Sequence, residues 1–451
     1  LTTFWHPGIH LEQTSVAANY PATGFSRPFS DVQQGIVHLP PVYSWLIFVG
    51  LTASGWFGVG KVASLIMGLG TLVLLHQTVK RLGYPQEIRL LSVAMLASSP
   101  LFLMLSSSVM QETALLFFSV GAVYCFLLYW QSDSVPGLLL ATFLVTCAVL
   151  SKWQGVFMLI PMAAVLLHDG GFRGLFKIRN VVAAALPLIV GFGWLRWIQL
   201  NSADPPTGQL FNRFFFNVES TAREIALMIG VDIVAFWPIS MVLLALVATL
   251  RRTFDPANKI LLFSWLAAGL SFYALFFQGS IHHDHYIALA LPPFAILAAL
   301  GLDSAGSALA ANVSLPQRSL FRSLERPQFV AICTAILILS AAMAGGLFVS
   351  HSVNIGDERE RIAESKQISE RLGEQGVESV ALVDRSTAYL YFELGSGDLT
   401  PRYYKSSADL FDHSTGPDRV VVPLDRAGEF RESYTLRSSG EFYATLEPRQ
   451  R

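Results

Sequence analysis

Charged side chains are scarce in this sequence. Only 14% of its 451 residues are Asp, Glu, Lys or Arg, whereas 53% are hydrophobic. An average soluble domain carries about 25% charged residues, so an ordinary water-soluble globule is excluded. The 31 basic residues nearly balance the 32 acidic ones, and this balance gives no indication of a nucleic-acid partner. The composition is typical of a bundle of membrane helices.

Cysteine is also scarce. Cys125, Cys147 and Cys333 all lie in apolar runs and lack the spacing of a ligand motif. This excludes a disulfide framework and a zinc motif, and leaves packing as their role. The sequence further lacks an apolar targeting segment ahead of the polar stretch that begins at Leu1. We therefore expect a further first helix or signal anchor before Leu1.

Long apolar runs, by contrast, are abundant. Ten of them approach the roughly 20 residues that a bilayer-crossing helix needs. They are residues 60–79, 90–106, 111–130, 135–151, 155–168, 181–199, 225–250, 260–277, 286–303 and 328–350. A further run, 42–57, is rich in aromatic residues and is interpreted as a juxtamembrane helix at headgroup depth. The sequence predicts an all-α polytopic membrane bundle of ten spans plus the expected first helix.

Lys and Arg are concentrated in alternate loops. One set of loops holds Lys80, Arg81, Arg89, Arg173, Lys177, Arg179, Arg251, Arg252, Lys259, Arg318, Arg322 and Arg326. The opposite set holds only Lys152, Arg213 and Arg223. Basic loops favour the cytoplasmic side, so the opening loop and the C-terminal tail are predicted to face outward. We expect a multi-pass protein of the bacterial plasma membrane with an extracytoplasmic active site.

Composition divides the chain into three regions. These are an outer loop with juxtamembrane helices at 1–57, the transmembrane bundle at 58–350 and an extracytoplasmic soluble domain at 351–451. The soluble region opens with a charged amphipathic helix that ends near Arg371. Val380–Val383 and Val420–Val422 are short β-branched runs between turns, which indicates strands. We predict a small α/β domain with a structural or acceptor-guiding role.

Ionisable groups gather on the predicted outward side. They are His6, His10, Glu12, His38, Glu112, Lys152, Arg213, Arg223 and the run His282-His283-Asp284-His285-Tyr286. A charged group at the centre of a membrane helix costs about 2.5–3.5 kcal/mol. Such groups therefore tend to mark functional sites, and their collection on one side is informative.

Each of these groups also has an ordinary interpretation. Glu12 could be a solvated carboxylate, and Glu112 could be an acidic residue that favours a helix N-terminus. Lys152 could extend from a helix end to the headgroups, and Arg213 could pack at the interface. The His282–His285 segment could bind a divalent metal ion, although adjacent histidines in one loop rarely all face one ion.

Several short motifs follow one another in an order that is typical of one protein family. Glu12 to Ala18 precedes Gly24-Phe25, and Pro40-Pro41-Val42-Tyr43-Ser44-Trp45-Leu46 follows. Later come Ala97-Ser98-Ser99-Pro100-Leu101-Phe102, Glu112, Leu150-Ser151-Lys152-Trp153-Gln154-Gly155, and His285-Tyr286 ahead of Leu291-Pro292-Pro293. The series resembles the polytopic GT-C glycosyltransferases of the protein-mannosyltransferase and lipid A aminoarabinose-transferase type. The resemblance covers about residues 5–305.

The sequence departs from this family at two places. Glu12-Gln13 stands where the family has Asp or Asp-Glu, and Gly8-Ile9 follows His6-Pro7 where acids would be expected.

The resemblance implies transfer of a sugar from a polyprenyl-phosphate donor to an extracytoplasmic glycan, lipid or protein acceptor. It makes Glu12 the catalytic base and Glu112 a second acidic group that positions the acceptor or a metal. Lys152, His285 and Tyr286 would bind the donor phosphate. Supporting roles fall to His10, His38, Arg213, His282, His283 and Asp284. No cofactor is implied with certainty, and a divalent metal ion is left open.

Other function classes also fit parts of the sequence. A ligase that moves a whole lipid-linked glycan would use the same side and similar cations. A transporter is suggested by Asp232 and Pro238 within 225–250, but paired repeats with broken helices, which transporters commonly show, are not evident. A scaffold that displays 352–451 would leave the outward collection of ionisable groups unexplained.

Overall fold

The computed structural model describes ten segments of the 451-residue chain. They are residues 41–54, 59–107, 109–201, 239–251, 254–275, 284–312, 355–377, 379–383, 400–404 and 417–448. These segments form a mostly helical bundle followed by a smaller unit that contains a five-stranded sheet.

Twelve α-helices lie in the described segments. They are α1 (Pro41–Ser54), α2 (Val59–Arg81), α3 (Gln86–Ala97), α4 (Pro100–Ser107), α5 (Gln111–Ser132), α6 (Val135–Val149), α7 (Leu159–Leu175), α8 (Ile178–Asn201), α9 (Ile239–Arg251), α10 (Pro256–Leu275), α11 (Leu291–Asn312) and α12 (Ile355–Glu374). The 3₁₀-helices Trp153–Met158 and Asp284–Ala290 run directly into α7 and α11.

Within the described residues, five or six segments qualify as candidate membrane spans, against ten predicted for the whole sequence. Five stretches of the described chain are long and apolar enough to cross a membrane: Val59–Arg81, Gln111–Ser132, Trp153–Leu175, Ile178–Arg196 and Tyr286–Ala305. The bent pair α3 and α4 becomes a sixth if it counts as one span. The number ten is therefore not confirmed. The predicted span 328–350 and most of 225–250 lie outside the described residues.

The predicted span 90–106 is broken rather than straight. Its two halves, α3 and α4, meet at an angle of 68°. Pro100 is responsible, because proline has no N–H to donate and disfavours helical geometry in the residue before it. The backbone N–H of Ser99 closes the end of α3 by donating to the carbonyl of Leu96 at 3.1 Å.

Two helices form the centre of the bundle. Of the apolar stretch that makes α5 a candidate span, 72% is buried inside the protein. The corresponding share is 89% for the segment Tyr286–Ala305, which includes most of α11. Helix α5 packs between α2 and α6, while α11 packs against α3 and α9. The apolar side chains of these helices make one continuous core. Because α5 and α11 are buried on most sides, the residues at their N-terminal ends have fixed positions.

The C-terminal unit is a sheet with the strand order β2-β1-β3-β5-β4. Its strands are β1 (Ser379–Val383), β2 (Thr400–Tyr404), β3 (Arg419–Pro423), β4 (Tyr434–Ser439) and β5 (Tyr443–Pro448). β1 pairs in parallel with β2 and β3, whereas β5 pairs antiparallel with β3 and β4. The strands predicted at 380–383 and 420–422 are confirmed, as is the charged helix, which is α12.

Side chains cover both faces of this sheet. On one face, Ile368 and Leu372 of α12 pack against Val380 and Leu382. On the other face, Phe430 belongs to a buried cluster with strand residues of β1, β3, β4 and β5. Strands β1 and β3 are buried on both faces. Their sequences are therefore continuous apolar runs and do not alternate between apolar and polar residues.

One carboxylate joins α12 to the turn between β4 and β5. Glu364 accepts backbone N–H groups from Glu441, Phe442 and Tyr443, each at 3.0 Å. Gly440 leaves room for this contact, since a Cβ there would lie 2.2 Å from Oε1 of Glu364. Hydrogen bonds to a charged acceptor are stronger than neutral ones, so Glu364 fixes the hairpin on the helix.

We expect Glu364→Ala to loosen the hairpin by at least about 1.5–3 kcal/mol, the contribution of one hydrogen bond to a charged group, because three such bonds are lost. Amide hydrogen exchange at residues 441–443 of the whole protein measures this loss of protection. Glu370→Ala, an exposed change on the same helix, is the matched control and should leave exchange unchanged. Equal protection in the two variants would contradict the assignment.

A close approach of two helices depends on Gly301. A Cβ at this position of α11 would lie 1.7 Å from the carbonyl oxygen of Leu244 in α9. The two backbones therefore pack at a distance that only glycine allows.

We expect Gly301→Ala to lower the melting temperature of the purified protein, because overpacking a tight contact costs about 1–3 kcal/mol. The control is Gly193→Ala in α8, where an added Cβ meets no atom within 4 Å. That change should be neutral or slightly stabilising, since alanine is the better helix former. A Gly301→Ala protein as stable as the wild type would show that α9 and α11 do not approach in this way.

Candidate functional site

A buried ion pair joins two of the residues singled out in the sequence. Glu112 lies in the first turn of α5 and is 4% exposed. Its carboxylate accepts a hydrogen bond from the ammonium group of Lys152, which follows α6. The Lys152 side chain is 14% exposed and that of Glu112 is 5% exposed. The pair therefore lies within the protein and not on a solvated face.

The third member of the cluster is Tyr286. The Lys152 ammonium nitrogen lies 4.3 Å from the centroid of the Tyr286 ring, a distance at which a cation is attracted to an aromatic face. Phe272 packs against Tyr286 in a T-shaped arrangement, with the two ring centroids 5.2 Å apart. Thus α5, the turn after α6 and the 3₁₀-helix before α11 each contribute one side chain.

The side chain of Gln154 links its own 3₁₀-helix to the backbone of the 3₁₀-helix that carries Tyr286. Its Nε2 donates to the carbonyl oxygen of Tyr286 at 3.1 Å, and the residue is fully buried. Gln154 follows Lys152 by two positions, so one short segment holds both the ring and the backbone of Tyr286. Phe157, on the same 3₁₀-helix, packs edge-on against Phe272 at 5.9 Å.

The turn that carries Lys152 is rigid for local reasons. The backbone N–H of Lys152 donates to the carbonyl of Ala148 at 2.9 Å, and that of Gly155 donates to Lys152 at 2.8 Å. A Cβ on Gly155 would lie 2.4 Å from backbone atoms of Ala148 and Val149. Only glycine fits so close to the end of α6, which explains the Lys-Trp-Gln-Gly spacing.

Helix α1 docks beside this turn. The backbone N–H of Val42 donates to the carbonyl of Leu150 at 2.9 Å. The buried hydroxyl groups of Tyr43 and Ser64 are joined by a hydrogen bond of 2.6 Å, which fixes α1 against α2. The start of helix α1 is therefore held against the turn that carries Lys152.

The basic loops meet at the other end of the bundle. Gln131 Nε2 donates to the carbonyl of Arg81 at 2.8 Å, and Asn258 Nδ2 donates to the carbonyl of Leu82 at 2.9 Å. Arg179 pairs with Asp133, just beyond α5. Because the 22-residue helix α5 is about 33 Å long, the ion pair at its N-terminal end is separated from these basic loops by the length of the helix.

Not every predicted site residue can be placed. Glu112, Lys152 and Tyr286 lie together as described. Asp284 and His285 lie in the 3₁₀-helix Asp284–Ala290, and only the backbone of these two residues is described. His6, His10, Glu12, His38, Arg213, Arg223, His282 and His283 lie outside the described residues.

The structure adds residues that the sequence did not single out. Gln154 and Tyr43 appeared only as members of motifs, and Phe272 only within an apolar run. Their roles arise from contacts between segments 132 positions apart in the case of Gln154 and Tyr286. A polar Gln inside an otherwise apolar stretch was the available signal, since a buried amide needs a hydrogen-bond partner.

A metal ligand set is not found in the described part of the chain. No group of three or more His, Cys, Asp or Glu side chains comes close enough there to hold an ion. The carboxylate of Glu112 contacts an ammonium group instead. The sequence suggested a metal either at Glu112 or at the His282–His285 segment, and the side chains of that segment lie outside the described residues.

Comparisons with known proteins identify relatives of this fold. Residues 38–197 match the family described as dolichyl-phosphate-mannose-protein mannosyltransferase. ArnT from Cupriavidus metallidurans, solved bound to undecaprenyl phosphate, superposes with a TM-score of 0.63 at 14% identity, covering 98% of this chain and 93% of its own. The resemblance to GT-C glycosyltransferases is confirmed.

The GT-C likeness extends to a second solved structure. The arabinofuranosyltransferase AftD from Mycobacteria superposes with a TM-score of 0.54 at 14% identity, covering 99% of this chain and 40% of its own. At such low identity these similarities establish a shared fold. A comparison with curated proteins finds no match. The GT-C fold with several apolar helices makes this a membrane protein.

Removing one partner of the ion pair should cost more stability than removing both. Lys152→Met would leave the Glu112 carboxylate buried without its cation, which typically costs about 3–5 kcal/mol. The double change Glu112→Gln with Lys152→Met should recover part of that loss, as measured by thermal unfolding of purified protein. As control, Asp133→Asn breaks an ion pair whose Asp133 side chain is 72% exposed and should have little effect. A double variant less stable than Lys152→Met would contradict the expectation.

Proposed function

We propose that this chain is an integral membrane glycosyltransferase that moves a sugar from a polyprenyl-phosphate-linked donor to an extracytoplasmic acceptor. The observation that carries the proposal is the cluster of Glu112, Lys152 and Tyr286 inside a GT-C fold. The cluster lies at the end of α5 away from the basic loops, and basic loops favour the cytoplasm. A reaction site on the outer side follows from that polarity.

Lys152 supplies the cation for the donor phosphate. A leaving phosphate gains negative charge during sugar transfer, and a fixed cation in a water-poor site stabilises that charge strongly. Glu112 and the ring of Tyr286 hold the ammonium group in place. His285, which precedes Tyr286, is proposed as a second phosphate ligand. Supporting contacts are assigned to His10, His38, Arg213, His282, His283 and Asp284.

A polar ligand is also supported by two buried amides beside the ion pair. Among the described residues, Nε2 of Gln111 and Oε1 of Gln154 are buried without a hydrogen-bond partner. An unsatisfied buried polar group costs about 1–3 kcal/mol. Gln111 directly precedes Glu112, and Gln154 follows Lys152 by two positions, so we propose that a bound phosphate sugar supplies the acceptor and the donor that these amides lack.

Glu12 is proposed as the base that deprotonates the acceptor hydroxyl. Glu112 is less suited to this task, because it is buried and engaged by Lys152; we assign it to positioning. One carboxylate base is enough, since a phosphate leaving group needs little protonation. If the base and the phosphate lie on opposite faces of the sugar, displacement inverts the anomeric centre. The start of α1 docks against the turn that carries Lys152, which is compatible with a base supplied by the loop before it.

The division of the chain into three parts belongs to the same proposal. The region 1–57 would deliver the base, the bundle 58–350 would hold the lipid-linked donor, and the extracytoplasmic unit 351–451 would guide the acceptor. The donor lipid is hydrophobic and shares the membrane with the bundle, which accounts for a water-facing reaction on an apolar scaffold.

The test is transfer from radiolabelled polyprenyl-phosphate sugars in liposomes that contain the full-length protein. We expect wild-type protein to release label from the carrier, Glu12→Gln to lose nearly all release and Lys152→Met to lose at least a hundredfold, since a single charge-stabilising group is worth about 10²–10³ in rate. Asp133→Asn, at the basic end, is the matched control and should retain full release.

The outcomes separate the alternatives. Full activity of folded Glu12→Gln protein would remove Glu12 as base and leave the fold assignment intact. No release from any carrier by folded wild-type protein would reject the transferase. Uptake of free sugar into the same liposomes without carrier lipid would instead favour a transporter.

A further inference from the structure

The turn between α7 and α8 exposes large apolar side chains next to cations. Phe172 is 71% exposed, Phe176 is 66% exposed and Ile178 is 78% exposed. The two phenylalanine rings stack at an interplanar angle of 10° with centroids 6.3 Å apart. Arg173 and Lys177, also exposed, are interleaved with them. Aromatic and basic side chains thus alternate along one short surface segment, residues 172–178, which we call the basic-aromatic turn.

The chain breaks its helix to make this turn. Gly171 has φ 57° and ψ −157°, inside a helix that is otherwise regular from Leu159 to Leu175. This backbone geometry is essentially restricted to glycine. The break means that the basic-aromatic turn does not continue the axis of the preceding membrane helix. Its side chains are presented by a separate turn at the end of the span.

The base of the turn is anchored by buried polar contacts. Asn180, 5% exposed, donates from Nδ2 to the carbonyl of Gly174 at 2.8 Å and accepts the Tyr129 hydroxyl at 2.7 Å. Nearby acidic groups are already engaged: Asp133 pairs with Arg179, which lowers the pKa of that carboxyl, and Asp169 accepts from the Trp130 indole at 3.1 Å. Arg173, Lys177 and Arg179 outnumber Asp133 and Asp169 by one charge, so the surface of the turn is net positive, and the buried contacts hold it in shape.

We propose that the basic-aromatic turn lies in the headgroup layer and binds the phosphate of anionic phospholipids. Aromatic rings favour the interface between headgroups and acyl chains, and each Lys or Arg near an anionic membrane surface gains about 1 kcal/mol. The turn supplies both kinds of group within seven residues. It belongs to the end of the bundle that holds the basic loops, which matches the more anionic cytoplasmic leaflet. The proposal does not depend on the sugar-transfer reaction.

The test places a fluorophore beside the turn in the full chain. Gly170→Cys offers the attachment site, since Gly170 is exposed and an added Cβ meets no atom within 4 Å; the three natural cysteines are replaced by Ala. The protein is reconstituted in phosphatidylcholine nanodiscs that contain a trace of one nitroxide-labelled lipid. In one sample this lipid is phosphatidylglycerol and in the other it is phosphatidylcholine, each with the nitroxide near its headgroup. The ratio of quenching by the two lipids reports local enrichment of the anionic lipid.

We expect phosphatidylglycerol to quench more strongly, with an enrichment of about fivefold for each cation. Arg173→Gln with Lys177→Gln should bring the ratio close to one, whereas the charge-preserving Arg173→Lys with Lys177→Arg should keep it. Lys366→Gln on α12, an exposed change elsewhere, is the control and should not alter it. Added salt should lower the wild-type ratio without any substitution, because exposed charges are screened.

Two results would overturn the proposal. Equal quenching by both lipids in wild-type protein would show that the turn has no preference for anionic headgroups. Quenching by aqueous iodide in place of either lipid would show that the turn lies in water. The salt titration uses unsubstituted cations, so the proposal is tested even if the double variant fails to fold.

Discussion

The site depends on one buried ion pair, between Glu112 and Lys152. Removing both charges from water is expensive, and the pair persists only if its geometry is good and further contacts support it. Here the support is the Tyr286 ring over the ammonium group and the rigid turn that ends α6. Because the partners come from separate helices, the pair also specifies how α5, α6 and α11 are placed around the site.

The two ends of the bundle have opposite chemistry. At one end, a cation is withdrawn from water and held by a carboxylate and an aromatic ring. At the other end, Arg and Lys side chains are exposed and accompanied by phenylalanine. Both ends carry positive charge, but in different surroundings. The buried cation suits a charge that develops during a reaction, whereas the exposed cations suit a permanently ionised lipid surface.

The sequence was informative where a local pattern decides the structure. Apolar runs located most helices, and the β-branched runs at 380–383 and 420–422 located two strands of the sheet. The sequence placed Glu112, Lys152 and Tyr286 on one side, but it could not predict that they touch, because that contact depends on how separate helices pack. The bend before Pro100 and the part played by Gln154 were missed for the same reason: hydropathy does not register a broken helix or a partner 132 positions away.

The strand order of the C-terminal sheet has a consequence for biosynthesis. β5 follows β4 in sequence but lies between β3 and β4, and its first residue donates its backbone N–H to Glu364 on α12. The sheet therefore cannot close while residues 443–448 are still in the ribosome or in a translocation channel. If this unit is exported, it must cross the membrane unfolded and assemble afterwards, so its folding would report that translocation of the chain through residue 448 is complete.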